Sequence, residues 1–269
     1  MLKGKTALVT GSTGGIGEAF VRAFAAQGCN VMMNGPGEAS TVEALRASIA
    51  REHGVEIAHH GADVGVPAEI EAMVRETEQR FGGVDILVNN AVVRYYHKIE
   101  DFPAAEWDRA IAVDLSAAFH TIRLTMRRMK ERGWGRIINM SSIHGRMAVP
   151  NRVDYVTAKH ALIGVTRGVA LECAQTGVTI NALMPGWVLT PHAERQIARQ
   201  MADANSSREK ALNELLSVRQ PSQQPIMPEH IAAYGVFLCS EAGGHINGAA
   251  LPIDGAWQAG FSLTVGNKN

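Results

Sequence analysis

The sequence predicts an α/β fold, a single doubly wound domain with a seven-stranded parallel sheet. Short apolar runs rich in Val and Ile alternate along the chain with longer segments of helical period. The runs do not alternate between polar and apolar residues, which is typical of strands buried on both faces of a sheet. A glycine-rich turn joins the first run to the first helical segment. Strands that alternate with helices are connected by right-handed crossovers, and such crossovers build a parallel sheet.

Each element is predicted from its own run of residues, taken in chain order. The apolar runs predict strands at residues 6–11, 30–34, 56–60, 84–90, 135–142, 178–186 and 249–255. Helical periodicity predicts helices at residues 15–27, 41–53, 67–81, 104–132, 153–175 and 228–238.

One long segment, residues 191–227, contains no run typical of a buried strand. It is rich in Gln, Arg, Glu and Ala. A disordered segment is one interpretation, but a helical lid over a pocket is favoured, because long excursions from a compact domain often carry function. No linker divides the rest of the chain. We therefore predict one domain over residues 1–269, with a helical substrate lid at 191–227.

The composition excludes several classes of protein. The 269 residues include 26 Lys or Arg and 26 Asp or Glu, so the formal net charge is zero and no nucleic-acid or anionic-membrane surface is indicated. No apolar run approaches the roughly 20 residues that span a bilayer, and the first strand begins too early to leave room for a signal peptide. Cys29, Cys173 and Cys239 are far apart and lack metal-ligand spacing. They predict free thiols, no metal site and a cytoplasmic location.

A glycine-rich turn, TGSTGGIG at residues 10–17, lies between the first predicted strand and the first predicted helix. Glycine allows a sharp turn and lets a phosphate approach the backbone closely. The helix that follows presents unpaired N–H groups and the positive end of its dipole. In this position the turn predicts a dinucleotide site in a Rossmann fold. The residues expected to contact the cofactor here are Gly11, Thr13, Gly15, Ile16 and Gly17.

The end of the second strand bears on the choice between NAD and NADP. An acid at this position binds the ribose of NAD, whereas a nearby Arg accommodates the 2′-phosphate of NADP. The strand ends in Asn34 and Gly35, and no cation stands at Ser12, Thr13 or Gly35. The missing cation favours NAD and leaves NADP as the alternative. Asn34 is interpreted either as a ligand of the ribose hydroxyls or as a turn residue.

Ser142, Tyr155 and Lys159 are predicted to form the catalytic group. Residues four apart share a helix face, so Tyr155 and Lys159 point the same way at the start of the fifth helix. A nearby cation favours the phenolate form of a phenol, which can then exchange a proton with an alcohol or carbonyl oxygen near neutral pH. Ser142 ends the preceding strand, and its hydroxyl can bind the same oxygen. The trio suits hydride transfer, in which a nicotinamide acts at the carbon.

Together these motifs resemble the short-chain dehydrogenase/reductase family over essentially the whole chain. The matching segments are TGSTGGIG, ADV at 62–64, VDILVNNA at 84–91, the Ser–Tyr–Lys set and MPGWVLTP at 184–191. The resemblance implies a nicotinamide-dependent oxidoreductase and a homotetramer.

The resemblance also implies further contacts with the cofactor. Asp63 and Val64 are expected to hold the adenine, and Asn90 to lie beside a ribose. Val188 and Thr190 are expected to bind the carboxamide. Lys159, together with Tyr155, is expected to contact the nicotinamide ribose as well as the reacting oxygen.

Two residues depart from the family pattern. Val92 stands where the family carries glycine after the fourth strand, which adds bulk near the cofactor. Asp114 stands where the family carries an asparagine that anchors a proton-relaying water near Lys159. A carboxylate can still accept a hydrogen bond from that water, but its charge offsets the effect of Lys159 on the phenol. We therefore count Asp114 among the catalytic residues and expect an active enzyme with a shifted pH optimum.

Within the family, the chain resembles the dehydrogenases that act on 3-hydroxybutyrate. In those enzymes a cluster of polar side chains binds the substrate carboxylate. The residues that match this cluster are His144, Trp187, Gln196 and Trp257. His144 could instead be a packing residue, and the two tryptophans could belong to the core.

Arg94 and Arg152 stand where those dehydrogenases carry glutamine and lysine. Two arginines can grip one carboxylate bidentately or bind a second anionic group, although either could instead form an ion pair on the surface. The leading prediction is therefore an NAD-dependent dehydrogenase of a small hydroxy acid similar to 3-hydroxybutyrate. The alternatives are a related enzyme for a larger or more anionic hydroxy or keto acid or another secondary alcohol, and a nucleotide-sensing protein without catalysis.

Overall fold

Seven short strands form one parallel sheet in the computed structural model, which describes residues 2–260. Their order across the sheet is 3-2-1-4-5-6-7, and all neighbouring pairs are parallel. The strands are β1 (Thr6–Val9), β2 (Asn30–Asn34), β3 (Ile57–His60), β4 (Ile86–Asn89), β5 (Gly135–Met140), β6 (Val178–Pro185) and β7 (Ala250–Ile253). The order reverses between β1 and β4, and in such sheets ligands bind in the crevice at that point.

Helices cover both faces of the sheet. They are α1 (Gly15–Ala26), α2 (Ala39–His53), α3 (Pro67–Phe81), α4 (Ala104–Ile111), α5 (Ala117–Glu131), α6 (Val153–Cys173), α7 (Pro191–Ala204), α8 (Arg208–Ser217) and α9 (Pro228–Cys239). Successive residues of β1 point to opposite faces: Val9 joins the apolar cluster that contains Phe20 of α1, and Leu8 joins the cluster that contains Met73 of α3. Burial on both faces explains why the strand sequences lack polar alternation.

The predicted fold class and the seven strands are confirmed, with bounds that differ by up to two residues at some strand ends. The helical region predicted over 104–132 is confirmed, but it is not one regular α-helix. A π-helical turn at Ala112–Ser116 separates α4 from α5. Within it the Asp114 carboxylate accepts a hydrogen bond from the Val93 backbone N–H at 2.8 Å. This contact with a distant loop leaves no trace in the helical periodicity.

The segment 191–227 contains helices α7 and α8, so the disordered interpretation is wrong. The two helices pack around a small apolar cluster that includes Trp187 and Ile197. The segment returns to the sheet edge where Val188 pairs with Ile226. No helix among residues 2–260 has the length and apolar character that a membrane crossing requires. The three cysteines are free and buried.

A buried polar network joins the centre of the sheet to the helices beside it. Asn139 of β5 is fully buried. Its Oδ1 accepts a hydrogen bond from Asn89 Nδ2 of β4 at 2.9 Å, and its Nδ2 donates to Thr166 Oγ1 of α6 at 3.0 Å. Asn89 Oδ1 in turn accepts from Thr121 Oγ1 of α5 at 2.7 Å. Each member is satisfied, so the network fixes the relative positions of four elements without an unpaired buried group.

Replacing Asn139 by leucine is expected to lower the free energy of unfolding by roughly 2–4 kcal/mol, because Asn89 and Thr166 would each lose a buried partner. Thr166→Val, which breaks a single bond of the network, should cost about 1 kcal/mol. Urea unfolding at pH 7 measures both values. An Asn139→Leu protein as stable as the wild type would show that the network contributes no stability.

Candidate active site

A cleft opens at the carboxyl ends of the central strands, between the loop after β4 and helix α7. Ser142, Tyr155 and Lys159 all line it, so the structure brings the three predicted catalytic residues together. Two elements hold them: Ser142 follows the end of β5, and the other two lie in the first two turns of α6.

Lys159 is buried and fixed beneath the tyrosine. Its side chain is 3% exposed, and its Nζ donates a hydrogen bond to the Met140 carbonyl of β5 at 3.0 Å. The same Nζ lies 5.3 Å from the centroid of the Tyr155 ring. The two side chains therefore lie on the same face of α6, as their four-residue spacing predicts.

Ser142 lines the cleft, and its hydroxyl donates no hydrogen bond to residues 2–260. Its Oγ accepts a hydrogen bond from the His144 backbone N–H at 3.2 Å. A hydroxyl has one hydrogen and two lone pairs, so the Ser142 hydrogen remains available for the oxygen of a bound substrate.

The Asp114 carboxylate lies behind this group and is 3% exposed. Oδ1 is bound by the Val93 N–H, whereas Oδ2 is buried without a hydrogen-bond partner among residues 2–260. Burial is the main cause that raises the pKa of Asp114 to about 6, and the charges of Lys159 and Arg94 oppose that rise. The group therefore changes charge close to neutral pH.

Arg152 forms one wall of the cleft. Its guanidinium carbon lies 4.0 Å from the centroid of the Tyr155 ring and 4.6 Å from that of Tyr96. The guanidinium is thus held between two tyrosine rings, and its Nε and Nη2 are buried without a hydrogen-bond partner in the described part of the chain. Buried charged donors usually find a partner. An anion bound in the cleft would supply one.

The other residues predicted for the carboxylate fall into two groups. Arg94, Trp187 and Gln196 line the cleft. His144 and Trp257 are not among its lining residues. Instead the His144 ring lies edge-on between the rings of Tyr155 and Trp257, with centroid distances of 6.2 Å and 6.3 Å. Burial, and then the charge of Arg152, lower the pKa of His144, which favours the neutral imidazole.

A hydrogen-bonded chain runs along the α7 side of the cleft. Trp187 Nε1 donates to Gln196 Oε1 at 3.0 Å, and Gln196 Nε2 lies 3.3 Å from His192 Nε2. The buried side chain of Gln220 supports the chain from behind by accepting from the Trp187 backbone N–H at 3.0 Å.

A second cleft adjoins the first and is lined by the glycine-rich turn. No side chain caps the N-terminus of α1, so the free N–H groups of its first turn can bind a phosphate. A Cβ atom added at Gly14 would meet nothing within 4 Å, which shows open space in front of the turn. Thr13, Gly15, Ile16, Asn90 and Thr190 also line this cleft. A pyrophosphate therefore fits the residues present.

Gly11 and Gly17 are required for a different reason. A Cβ at Gly11 would lie 2.7 Å from Ala91 Cα, and one at Gly17 would lie 2.7 Å from Asn90 Nδ2. Such distances are too short for any side chain. These two glycines therefore allow the turn, α1 and the loop after β4 to approach one another.

A third cleft shares Gly11, Pro36 and Ala91 with the second and contains the residues predicted for the adenosine end of the cofactor. Asn34, Asp63 and Val64 line it, together with Arg109. Asn34 is a buried strand residue rather than an exposed turn residue, and its Nδ2 donates to the carbonyls of His60 and Ala62 at 3.0 Å and 2.9 Å. Only its Oδ1 remains for a ribose hydroxyl.

Arg109 is the residue at this end that the sequence did not indicate. It binds both oxygens of Asp63, at 2.9 Å and 2.7 Å, and these hydrogen bonds are the main cause that lowers the pKa of Asp63. The predicted adenine ligand is thus already paired. His192 and Tyr96 were missed too. A signal existed for His192, which directly follows the Thr-Pro that begins α7.

Comparisons with known proteins agree with this geometry. A family model described as short chain dehydrogenase matches residues 5–201. A D-beta-hydroxybutyrate dehydrogenase of Cupriavidus necator is 48% identical over 260 residues, covering 96% of this chain and 100% of that protein. Another, from Rhizobium meliloti, is 44% identical over 255 residues, covering 95% and 99%. The chain therefore belongs to the short-chain dehydrogenase family, which confirms the resemblance predicted from the sequence, and it is an oxidoreductase.

A solved structure shows the same architecture. The crystal structure of L-sorbose reductase from Gluconobacter frateurii, complexed with NADPH and L-sorbose, superimposes with a TM-score of 0.92 at 28% sequence identity. The match covers 97% of this chain and 98% of that one.

The raised pKa of Asp114 predicts a pH-dependent loss of stability. A carboxyl group whose pKa is higher in the folded state than the usual 3.8 binds more protons when folded. Stability is then lost as pH rises from about 4 to about 6, by up to ~3 kcal/mol. Asp114→Asn should remove this fall, as measured by urea unfolding at several pH values, and should shift the pH–rate profile.

Asp203→Asn provides the matched control, because Asp203 is exposed on α7. It should leave both pH profiles unchanged. If Asp114→Asn has the same pH–stability and pH–rate curves as the wild type, then Asp114 does not titrate near neutral pH.

Proposed function

We propose that this enzyme transfers a hydride between NAD and the secondary alcohol of a small hydroxy acid, 3-hydroxybutyrate or a close analogue. The observation that carries the proposal is the cleft in which Tyr155, Lys159 and Ser142 face the unpaired guanidinium of Arg152. It combines a proton-transfer group with a site for a carboxylate. The names of the two curated relatives agree with this substrate.

The chain's own residues act at the oxygen of the substrate. The Tyr155 phenolate takes the hydroxyl proton as the alcohol is oxidised, and returns it when the ketone is reduced. Lys159 and Arg152 place two positive charges next to the phenol ring. The Ser142 hydroxyl donates a hydrogen bond to the same oxygen. Asp114, behind Lys159, offers its unpaired Oδ2 to a water that carries the proton away.

The nicotinamide cofactor, when bound, accepts the hydride at carbon. The first turn of α1 would hold its phosphates, and Asn34, Asp63 and Val64 would surround the adenosine. Val188 and Thr190 would hold the carboxamide, and Asn90 would lie by the ribose. We favour NAD over NADP because the one guanidinium at the adenosine end among residues 2–260, that of Arg109, is already bound by Asp63.

Substrate orientation depends on the walls of the cleft. Arg152 binds the carboxylate, and Gln196 and Trp187 complete the wall on the α7 side. His144 and Trp257 act by packing, since His144 contacts the Tyr155 ring and Trp257 contacts the ring of His144. Residues 191–227, which contain helices α7 and α8, serve as the lid over the cleft. We further propose a homotetramer, by resemblance to the family, and a cytoplasmic location, because the three cysteines are free.

Steady-state oxidation of D-3-hydroxybutyrate tests the proposal directly. We expect turnover with NAD at a higher kcat/KM than with NADP, and Tyr155→Phe should lower kcat by ~10²–10⁴-fold because the proton acceptor is lost. Tyr234→Phe, which removes a phenolic hydroxyl from α9, is the control and should retain full activity. No turnover of D-3-hydroxybutyrate, or full activity of Tyr155→Phe, would reject the proposal.

Replacement of Arg152 should weaken binding of the substrate more than binding of the cofactor. Arg152→Gln is expected to raise KM for D-3-hydroxybutyrate by about 10- to 100-fold, because a charge-assisted hydrogen bond contributes about 1.5–3 kcal/mol. Arg152→Lys keeps the charge and should recover part of the loss. KM for NAD is the internal control. A Gln variant with unchanged KM for the hydroxy acid would show that the carboxylate binds elsewhere.

A further inference from the structure

The catalytic cleft carries more positive charge than a small monocarboxylate needs. Arg94, Arg152 and Lys159 line it, and no Asp or Glu is among its lining residues. Lys159 is engaged with the Met140 carbonyl and the Tyr155 ring. Arg152 is assigned to the substrate carboxylate. Arg94 is then a cation in the cleft without an assigned anion.

Arg94 has no ion-pair partner in the described part of the chain. No carboxylate oxygen of residues 2–260 lies within 4.0 Å of its guanidinium. Arg94 lies on the loop after β4, across the cleft from α7. His192, at the start of α7, lines the same cleft and, like Arg94, the adjoining one with the glycine-rich turn. The two side chains therefore face a common space.

The hydrogen bonds of the α7 wall determine which nitrogen of His192 carries the proton. An indole N–H can only donate, so the oxygen of the Gln196 amide faces Trp187 and its NH₂ group faces His192. The amide then donates, and His192 Nε2 must accept. In a neutral imidazole the other nitrogen, Nδ1, carries the hydrogen. It has no hydrogen-bond partner among residues 2–260 and is free to donate to an anion.

The electrostatic surroundings of His192 agree with this assignment. Burial, followed by the charges of Arg94, Arg195, Arg152 and Arg199, lowers the pKa of His192 to about 4. The imidazole is therefore neutral near pH 7, and the space beside it has a positive potential. An oxyanion placed there would gain from both the field and the two donors.

We propose that Arg94 and His192 form a second oxyanion subsite, which binds an acidic group that the substrate carries in addition to the carboxylate held by Arg152. The substrate class is a 3-hydroxy dicarboxylate. This inference rests on the proposed function, since it assumes that Arg152 binds the first carboxylate. With two subsites, each of the two arginines in the cleft binds one of the two carboxylates of a single ligand.

Three hydroxy acids test the subsite: D-3-hydroxybutyrate, 3-hydroxyglutarate and 3-hydroxy-5-methylhexanoate. The last has the shape of the second but carries an uncharged branch in place of the second carboxylate. We expect kcat/KM for 3-hydroxyglutarate to exceed that for its uncharged analogue by at least about tenfold, the size of one charge-assisted hydrogen bond. Equal values for the two compounds would overturn the proposal.

Variants identify the residues responsible. Arg94→Gln and His192→Leu should each lower kcat/KM for 3-hydroxyglutarate at least fivefold more than kcat/KM for D-3-hydroxybutyrate. Arg75→Gln is the matched control, because Arg75 is an exposed residue of α3 that neither lines the cleft nor contributes to the electrostatic surroundings of His192. It should leave the ratio of the two substrates unchanged.

The cofactor is the other source of an oxyanion, because Arg94 also lines the cleft of the glycine-rich turn. If Arg94→Gln raises KM for NAD and lowers activity on both acids equally, the residue binds the pyrophosphate and the proposal is overturned. Turnover of 3-hydroxyglutarate without turnover of D-3-hydroxybutyrate would reject the monocarboxylate as the substrate, and it would support the second subsite if Arg152→Gln also lowers turnover of 3-hydroxyglutarate. If neither acid reacts, the affinity of the enzyme–NAD complex for 3-hydroxyglutarate is measured by calorimetry, with the wild type and with Arg94→Gln. Equal affinities of the two proteins would overturn the proposal.

Discussion

The hydrogen bonds between Asn90 and the turn after β1 connect the two loops from which the whole site is built. Asn90 Nδ2 donates to the carbonyls of Thr10 and Gly11 at 3.0 Å and 2.8 Å, and its backbone N–H donates to Thr10 Oγ1 at 2.9 Å. These bonds join β1 to β4 where the strand order reverses. Both clefts open on this junction, so the positions of cofactor and substrate are set by the same few contacts.

This junction also explains the glycines of the turn. Gly17 must lack a side chain because Asn90 Nδ2 would lie 2.7 Å from its Cβ. The sequence prediction treated Gly11, Gly15 and Gly17 as cofactor contacts. In the structure, two of them permit close packing, and Gly14 and Gly15 border the open cleft. The motif thus serves the fold and the ligand at once.

The strength of the charge interactions in the catalytic cleft depends on burial as well as on distance. Lys159 and Asp114 are both 3% exposed, so water cannot screen their interaction as it would at the surface. Arg152 is held by aromatic rings rather than by an acid. No carboxylate of residues 2–260 forms an ion pair with it, and its charge remains available both to the phenol of Tyr155 and to a ligand.

Local sequence patterns predicted those features that depend on local rules. Apolar runs predicted the strands, and the spacing of Tyr155 and Lys159 predicted a shared helix face. The π-helical turn at 112–116 could not be predicted, because the apolar periodicity continues through it, and the bond between Asp114 and the loop at Val93 was hidden because 21 residues separate the partners. The pairing of Arg109 with Asp63 was likewise hidden, since 46 residues separate the two partners. The family resemblance identified residues that line the cleft, such as Arg152 and Gln196. The direction of the hydrogen bond between Gln196 and His192 could be found only from the structure.

The apolar cluster of α7 and α8 contributes to the intrinsic fluorescence of the protein. Trp187 belongs to this cluster, and Trp257 packs against it. They are two of only four tryptophans in the chain. A movement of α7 and α8 relative to the sheet would change the surroundings of these two indoles, while Trp134 packs against a cluster on the sheet instead. Intrinsic fluorescence can therefore test in solution, without an attached dye, whether α7 and α8 move as the proposed lid would.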